Sequence, residues 1–468
     1  MTPDAKIAER INILFVSPSV PYPMTDGGKI RVLNLIRRLC RIHKVTLLAF
    51  VASPADEQGA EYLREMGVEV VGVKFRHPKL VAALHGLLQN FTQGKPLIVA
   101  KYYSTEMVRA LANLLRSRRF DIVHFEMLHT GQYLLELRAK GRGQREDTRY
   151  KTQDTRQGEE ASSLESRVLG LESSKPYATV LGEQNIDSSI WRMLARAEPN
   201  PLRKLIFYWQ YRSFMGYESR ICHHFDTCIC VSAEDKRRLV SLCSEATVEL
   251  VPNGVDPDYF RPGKASEFFA PGAAALGDPR LEYAAGLFEE SETRLVFTGS
   301  MDWYPNEDAA LHFCDCILPL IRDELPDIKF YIVGSNPTSQ VLKLRRINGV
   351  IVTGSVEDVR PYVAGATVYV VPLRIGGGTR LKILQALAMG KAVVSTSIGC
   401  EGLNLQQDKH LLVADEPRQF ANAVARLVKS GSLQRRLGEN GRKLILSRYD
   451  WNIIVRELDL VYRGLISF

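Results

Sequence analysis

Residues Val371–Val394 read VPLRIGGGTRLKILQALAMGKAVV, a stretch whose order is strand, glycine-rich loop, helix, strand. Gly376, Gly377 and Gly378 let the backbone take positive φ and come close to a ligand. Thr379 is a suitable N-cap, Arg380 to Met389 reads as helix, and Gly390 closes it. Arg380 and Lys382 then stand in the first helical turn, where a basic side chain opposes the helix dipole at a cost of roughly a few tenths of a kcal/mol. A local rule broken without an evident structural gain is a mark of function. A diphosphate docked on the N-terminal N–H groups reverses the sign and makes charge-assisted hydrogen bonds. Lys382 and Gln385 share one helix face, being three residues apart. From Thr379 to Gln385 the rise is roughly 9 Å, about the reach from a nucleotide's diphosphate to its ribose hydroxyls, so Gln385 is expected on the ribose. The competing reading is a surface loop with casual basic residues.

The same rhythm extends in both directions. Ile11–Val16, Lys44–Ala52, Val68–Lys74, Asp121–Phe125, Tyr177–Leu181, Asp226–Val231 and Thr247–Pro252 read as strands, with helix-period segments between them. A second series follows at Arg294–Gly299, Ile328–Gly334, Gly349–Thr353, Thr367–Pro372, Lys391–Thr396 and His410–Ala414. Continuous Val/Ile/Leu strands alternating with helices imply parallel sheets covered on both faces. The expected fold class is therefore α/β, two Rossmann-like doubly wound domains with a facing interdomain cleft. The break falls at Pro252–Asp256, where Pro-Asn-Gly-Val-Asp-Pro interrupts regular structure. The expected domains are 10–256, completed by a C-terminal crossover helix at 448–468, and 257–447. Residues 138–175 are polar and charge-mixed and are expected as a mobile insertion. Residues 262–292 are expected as a loose excursion beside the break.

Composition narrows the class. A chain of 468 residues, 45% hydrophobic and 24% charged, suits a globular protein of two domains. No run is long enough for a membrane span or a signal peptide, so a cytoplasmic location is expected. Eight irregularly spaced cysteines make no disulfide scaffold. Cys222, Cys228 and Cys230 with His223 and His224 invite a zinc reading, but Cys228 and Cys230 sit in a strand pattern and lack paired CxxC spacing.

The net charge of +8 is clustered. Lys29 to Lys44 holds Lys/Arg and no acid on what reads as one amphipathic helix, and Trp191 to Arg220 mixes Arg and Lys with aromatics. Two readings stand: solvated helix faces over core aromatics, or contact with an anionic membrane surface or lipid-phosphate acceptor at the inner face of the plasma membrane. No nucleic-acid module accompanies the charge.

The loop and helix at 371–394 resemble the donor-binding segment of retaining GT-B glycosyltransferases, in the large family-four group of bacterial sugar transferases. Asp26-Gly27-Gly28 after the first strand, Val231-Ser232, Pro252-Asn253-Gly254-Val255-Asp256, Phe297-Thr298-Gly299-Ser300 and the Trp451–Tyr462 helix all fall where that family has its counterparts. Gly299–Asn306 with Gly376–Lys382 resembles a branch associated with exopolysaccharide loci. The family commonly has two glutamates in the donor loop; Gly377 and Gln385 stand at those positions, and an amide is the weaker acceptor. The family's common Arg and Lys after the first donor-domain strand are replaced by Met301–Pro305.

The resemblance implies a hexosyltransferase moving a sugar from a nucleotide diphosphate donor to a glycan or lipid-linked acceptor, with retention and with no metal or other cofactor. It implies donor contacts from Gly27, Gly28, Gly299, Ser300, Gly376, Gly377, Gly378, Thr379 and Gln385. Arg380, Lys382, Glu126 and His129 form the expected catalytic set. His124, Glu183 and Asn185 are expected on the acceptor or transferred sugar, at carboxyl ends of strands. Glu357 and Asp358 are expected near the base, although helix-start acids equally suit the dipole. Asp256-Pro257-Asp258 reads as turn chemistry and not as a metal site. A GT-B-fold sugar-nucleotide epimerase and a degenerate binding partner in polysaccharide assembly are the alternatives, the second favoured by Gln385.

Overall fold

The computed structural model describes residues 9–75, 90, 94–139, 177–268 and 292–467. Every expected strand forms, with small shifts at the ends. The first series is β1 (Asn12–Ser17), β2 (Lys44–Val51), β3 (Glu69–Lys74), β4 (Ile122–Glu126), β5 (Ala178–Glu183), β6 (Thr227–Cys230) and β7 (Val248–Leu250). The second is β8 (Arg294–Thr298), β9 (Lys329–Val333), β10 (Val350–Gly354), β11 (Val368–Val371), β12 (Val393–Ser395) and β13 (Leu412–Val413).

All pairings within the two sheets are parallel, β1 registering Asn12 on Lys44 of β2 and Ile13 on Ile122 of β4. The strand orders are β3-β2-β1-β4-β5-β6-β7 and β10-β9-β8-β11-β12-β13. Both are doubly wound, and in each the order reverses beside the first strand, between β1 and β4 and between β8 and β11. Outside the carboxyl ends at that reversal the flanking loops splay apart, which is where such sheets bind ligands. The central strands are buried along nearly their whole length because helices cover both faces; β4, β8 and β11 have no exposed residue. Burying a Leu or Phe side chain contributes roughly 1.5–3 kcal/mol, and Phe297, Phe313, Phe330 and Phe420 are all fully buried in the core of the second sheet.

The chain divides into two compact units, Met1–Val251 with Val455–Phe468, and Pro252–Ile454. Within the second unit the outgoing and returning strands of chain are tied together. Val255 N–H donates to the Tyr449 carbonyl at 2.7 Å, and Trp451 N–H donates to the Val255 carbonyl at 3.2 Å. The C-terminal helix Trp451–Ile466 begins in the second unit, and its part from Val455 on belongs to the first, where Tyr462 is fully buried.

Three expectations are corrected here. The basic segment Lys29–Lys44 is not one helix: the helix is Gly27–Leu39, and Lys44 already pairs with Asn12 as the start of β2. Arg31 does not lie on its solvated face but is 1% exposed, because it faces Glu126. The described head of the 262–292 segment is packed, Phe268 being buried with the Arg360 guanidinium 5.3 Å from its ring. Residues 140–175 and 269–291 of the two expected insertions lie outside the described residues. The cysteines are free; Cys228 and Cys230 are buried in β6, as a strand reading requires, and Cys222 is buried in the turn before it.

Candidate active site

In the second unit the strand-order reversal brings the end of β8 beside the loop after β11. That loop is held from several sides. Arg374 makes a two-pronged pair with Asp308, at 2.6 and 3.0 Å. Thr379 Oγ1 accepts from the Asn253 amide at 2.7 Å. The Arg380 guanidinium donates to the carbonyls of Gly377, Gly378 and Ile398. Gly378 has φ +66°, where a side chain costs an L-residue roughly 1–2 kcal/mol. The expected N-cap is therefore corrected: Asn253 engages Thr379, and the helix Leu381–Ala388 is preceded by Arg380 at the cap position with no side-chain cap bond. The broken dipole rule at Arg380 also has a structural gain, since its charge neutralises carbonyls of the loop.

Lys382 is placed differently. Its Nζ donates to Asn306 Oδ1 at 2.8 Å and lies 4.2 Å from the Phe297 ring centroid. Asn306 Nδ2 in turn donates to the Ser300 carbonyl at 2.9 Å, which orients the amide. All of this converges on Gly299, where an added Cβ would sit 2.7 Å from Asn306 Nδ2 and 2.9 Å from Lys382 Nζ. Only glycine leaves room there. Burial, and the Arg380 charge second, pull the Lys382 pKa down to about 7. An ammonium held near half-protonation beside the first turn of a helix is a receptor for an anion. Ser300 Oγ bonds Asp302 and Ser335, closing the turn after β8. Gly376 packs against the Arg380 side chain, and Gly377 presents its carbonyl to it.

Gln385 is half-buried on the same side as Lys382, while Ile383, Leu384, Ala386 and Leu387 point into the core. Among the described residues its amide has no hydrogen-bond partner. Glu357 and Asp358 are not brought to this group by any contact among the described residues. Glu357 is exposed, and Asp358 is committed to Arg360 at 2.6 Å, whose guanidinium stacks 3.8 Å from the Tyr259 ring.

In the first unit, Asp26 caps the helix Gly27–Leu39 by accepting from Lys29 N–H at 3.0 Å. Gly27 is exposed; Gly28 is buried against Met127 and Gln184. Met127, at the end of β4, has φ +70° and ψ +142°, a region that costs a non-glycine residue on the order of 1–3 kcal/mol and marks functional loops.

His124 and Glu126 do not line a surface, and their expected roles are corrected. Both are fully buried. His124 Nε2 meets Glu126 at 2.9 Å, and His124 Nδ1 meets the Tyr462 hydroxyl at 2.6 Å. The Gln184 amide donates to Glu126 at 2.7 Å, and Arg31 Nε lies 3.7 Å away. Burial opposes the Glu126 charge, but His124, Arg31 and Gln184 outweigh it and hold the carboxyl below its ordinary value. This is a paired ionic core beneath the loops, and it positions them.

Glu183, on the adjacent strand, behaves oppositely. It is buried with one oxygen unpartnered, and burial followed by neighbouring Cys222, Glu218 and Asp187 pushes its pKa well up. It lies in the core and lines no surface where a sugar could bind. His129 is buried with Nε2 unpartnered, its ring centroid 4.5 Å from that of Tyr102, and burial then Lys101 lowers its pKa to about 4. It is a neutral imidazole at pH 7 and a weak base, which does not suit the expected catalytic role. Asn185 is half-buried with no partner among the described residues.

Comparison with known proteins bears on the second unit. Residues 292–430 match the family model for glycosyl transferases group 1, spanning the whole Gly299–Lys382–Gln385 arrangement. The chain is a GT-B glycosyltransferase. Among relatives of this glycosyltransferase is an uncharacterized 44.6 kDa protein in the cps region of Klebsiella pneumoniae, 22% identical over 94% of this chain and 96% of that one. Another is the GDP-mannose-dependent alpha-(1-6)-phosphatidylinositol monomannoside mannosyltransferase of Mycobacterium tuberculosis, 27% identical over 52% of this chain and 63% of that one. Among solved structures, Anabaena Alr3699/HepE in complex with UDP-glucose has a TM-score of 0.59 at 13% identity, covering 97% of this chain and 100% of that one.

Asn306, Asn253, Arg31, Gln184 and Tyr462 are the structured polar groups that the glycosyltransferase's sequence did not single out. Asparagine in the turn after β7 is a readable sign for Asn253, whereas Asn306 lies inside the helix Tyr304–His312 and carries none. Arg31 interrupts an apolar helix face, also a readable sign. Tyr462 carries none.

Proposed function

We propose that this glycosyltransferase moves a sugar from a nucleoside diphosphate donor, with retention and without a metal ion, to a polysaccharide or lipid-linked acceptor. The observation that carries the reading is the Lys382–Asn306–Gly299 arrangement at the β8–β11 reversal. There the Lys382 Nζ, carried on the first turn of the helix Leu381–Ala388, meets Asn306 beside Gly299. A departing nucleoside diphosphate gathers negative charge, and preorganised donors stabilise that charge without reorganising. In this reading Lys382 holds the diphosphate, Arg380 holds the loop that presents it, and Gln385 accepts from a ribose hydroxyl. The UDP-glucose complex of the Anabaena protein supports a sugar-nucleotide donor, and the cps-region relative supports polysaccharide assembly.

Among the described residues no helix is long and apolar enough to cross a membrane. We place the protein at the cytoplasmic face of the plasma membrane as a peripheral enzyme, in keeping with its basic first unit.

Calorimetric binding of UDP, GDP, ADP and TDP in EDTA, on wild type and Lys382→Ala, tests the site. Binding of one diphosphate, weakened in the variant, followed by slow hydrolysis of the matching sugar nucleotide, supports a live transferase. Binding without any hydrolysis or transfer favours the degenerate partner that Gln385 suggests. No binding to any nucleotide refutes the donor site.

A further inference from the structure

The helices Asp187–Ala197 and Pro201–Ile221 form a hairpin whose connection is Glu198–Asn200. Its inner side is conventional. Phe214, Tyr217 and Ile221 are buried, and the Trp191 ring lies 5.6 Å from Phe207 and 6.1 Å from Phe214. Those positions recur at helical spacing and face the first unit's core.

The first turns of the second helix carry another apolar stripe. Leu202 is 74% exposed, Leu205 65% and Ile206 51%, with Tyr208 52% exposed at its border. Leu202, Leu205, Ile206 and the half-buried Trp209 stand at i, i+3, i+4 and i+7, one continuous side of the helix. Isolated exposed apolar residues are ordinary, but a contiguous stripe of this size marks an interaction surface.

The surroundings of the stripe are basic. Arg192, Arg196, Arg203, Lys204 and Arg212 are all exposed. The acids of the hairpin offset little of this charge: Glu198 is buried and pairs with Arg203 at 3.5 Å, and Glu218 lies in the core. A second copy of this chain would set like charges against each other across a symmetric interface. An anionic lipid surface satisfies both features together, taking the apolar side chains among its acyl chains and the Arg and Lys groups among its phosphates.

We infer that the exposed Leu202–Trp209 face of this hairpin is a docking surface for an anionic lipid bilayer. The inference rests on the peripheral placement proposed above and assigns it to named residues. The hairpin lies in the interface plane, its apolar side down, and anchors the first unit where a lipid-linked acceptor is presented.

Flotation of the full chain with phosphatidylcholine vesicles, with and without phosphatidylglycerol, tests it. Wild type is expected to float with the anionic vesicles, less so as salt rises. The triple variant Leu202→Ser, Leu205→Ser, Ile206→Ser and the pair Arg203→Glu, Lys204→Glu are each expected to bind them roughly tenfold or more weakly. Circular dichroism melts and nucleotide diphosphate binding without vesicles confirm that the variants are folded. Wild type that fails to float with anionic vesicles overturns the peripheral placement as well. A folded triple variant that floats like wild type overturns the hairpin assignment alone. If the triple substitution instead converts a dimer to a monomer in sedimentation, the face belongs to a second copy and the inference fails. Nucleotide binding, read separately, reports on the donor site whatever the vesicles show.

Discussion

Lys382 Nζ and Asn306 Oδ1 meet at 2.8 Å across the end of β8, although 76 residues separate them in the chain. The bond fixes an ammonium on the glycine turn at Gly299, and Asn306 is itself fixed by the Ser300 carbonyl. In the donor site proposed above, Asn306 is a positioning residue and Lys382 the group that meets the ligand.

This hierarchy makes the first prediction. A charged hydrogen bond is worth about 1.5–3 kcal/mol, so Lys382→Ala should weaken nucleoside diphosphate binding by roughly ten- to a hundredfold. Asn306→Ala should weaken it less, and the double variant should resemble Lys382→Ala, because Asn306 acts through the lysine. Calorimetric titration of the three variants checks the order. Additive losses would mean that Asn306 touches the ligand itself.

Binding should also take up a proton. Lys382 titrates near pH 7 in the free site, lowered by burial and then by Arg380. A bound diphosphate favours its charged form, so its pKa rises in the complex. Affinity for a nucleotide sugar should therefore fall as pH climbs above about 7, by up to about tenfold per pH unit, until the bound pKa is reached. Titrations in buffers of different ionisation enthalpy measure the proton directly. Lys382→Ala should abolish both the uptake and the slope.

The strands and the donor loop were legible because their signals are local. Thirteen runs of strand length, each bounded by turn residues, need no distant partner to be read, and neither does a triple glycine before a helix. His124 and Glu126 show the opposite case. Polar residues at the carboxyl end of β4 have the sequence appearance of site residues. What buries them comes from elsewhere: Arg31 from the first helix, Gln184 after β5, and Tyr462 from a helix 338 residues beyond His124. Thr379 failed for a similar reason, since the Asn253 amide that engages it lies 126 residues earlier. Lys382 was found because it breaks a local rule; its partner Asn306 breaks none.

The acids behind β5 predict a pH-dependent stability. Burial raises Glu218 to about 8, with Asp187 adding to it, and Asp187 itself is raised to about 7. A carboxyl whose folded pKa exceeds its unfolded value stabilises fully below the unfolded pKa, and the contribution disappears as pH rises through the folded one. The first unit should therefore lose on the order of a few kcal/mol between about pH 5 and about pH 9 from this cluster. Glu218→Gln keeps an acceptor for the Ser188 N–H and removes one titration. Its urea midpoint should fall less across that range than the wild-type midpoint, and equal falls would place the titrating groups elsewhere.

Gln385 offers the last test, on turnover. It stands half-buried one turn beyond Lys382, and its amide has no partner among the described residues. If a ribose hydroxyl donates to it, a carboxylate at the same position accepts more strongly, by about 1 kcal/mol, or roughly fivefold. Against this runs the new charge's repulsion of the diphosphate, damped by Lys382 lying between the two on the same helix face. Gln385→Glu should therefore raise kcat/KM for sugar-nucleotide hydrolysis severalfold, chiefly through KM, since a ribose contact persists from ground state to transition state. Gln385→Ala should lower it by a similar factor, with the melting temperature little changed. Were both substitutions silent, the ribose would lie elsewhere, and only the diphosphate half of the donor site would stand.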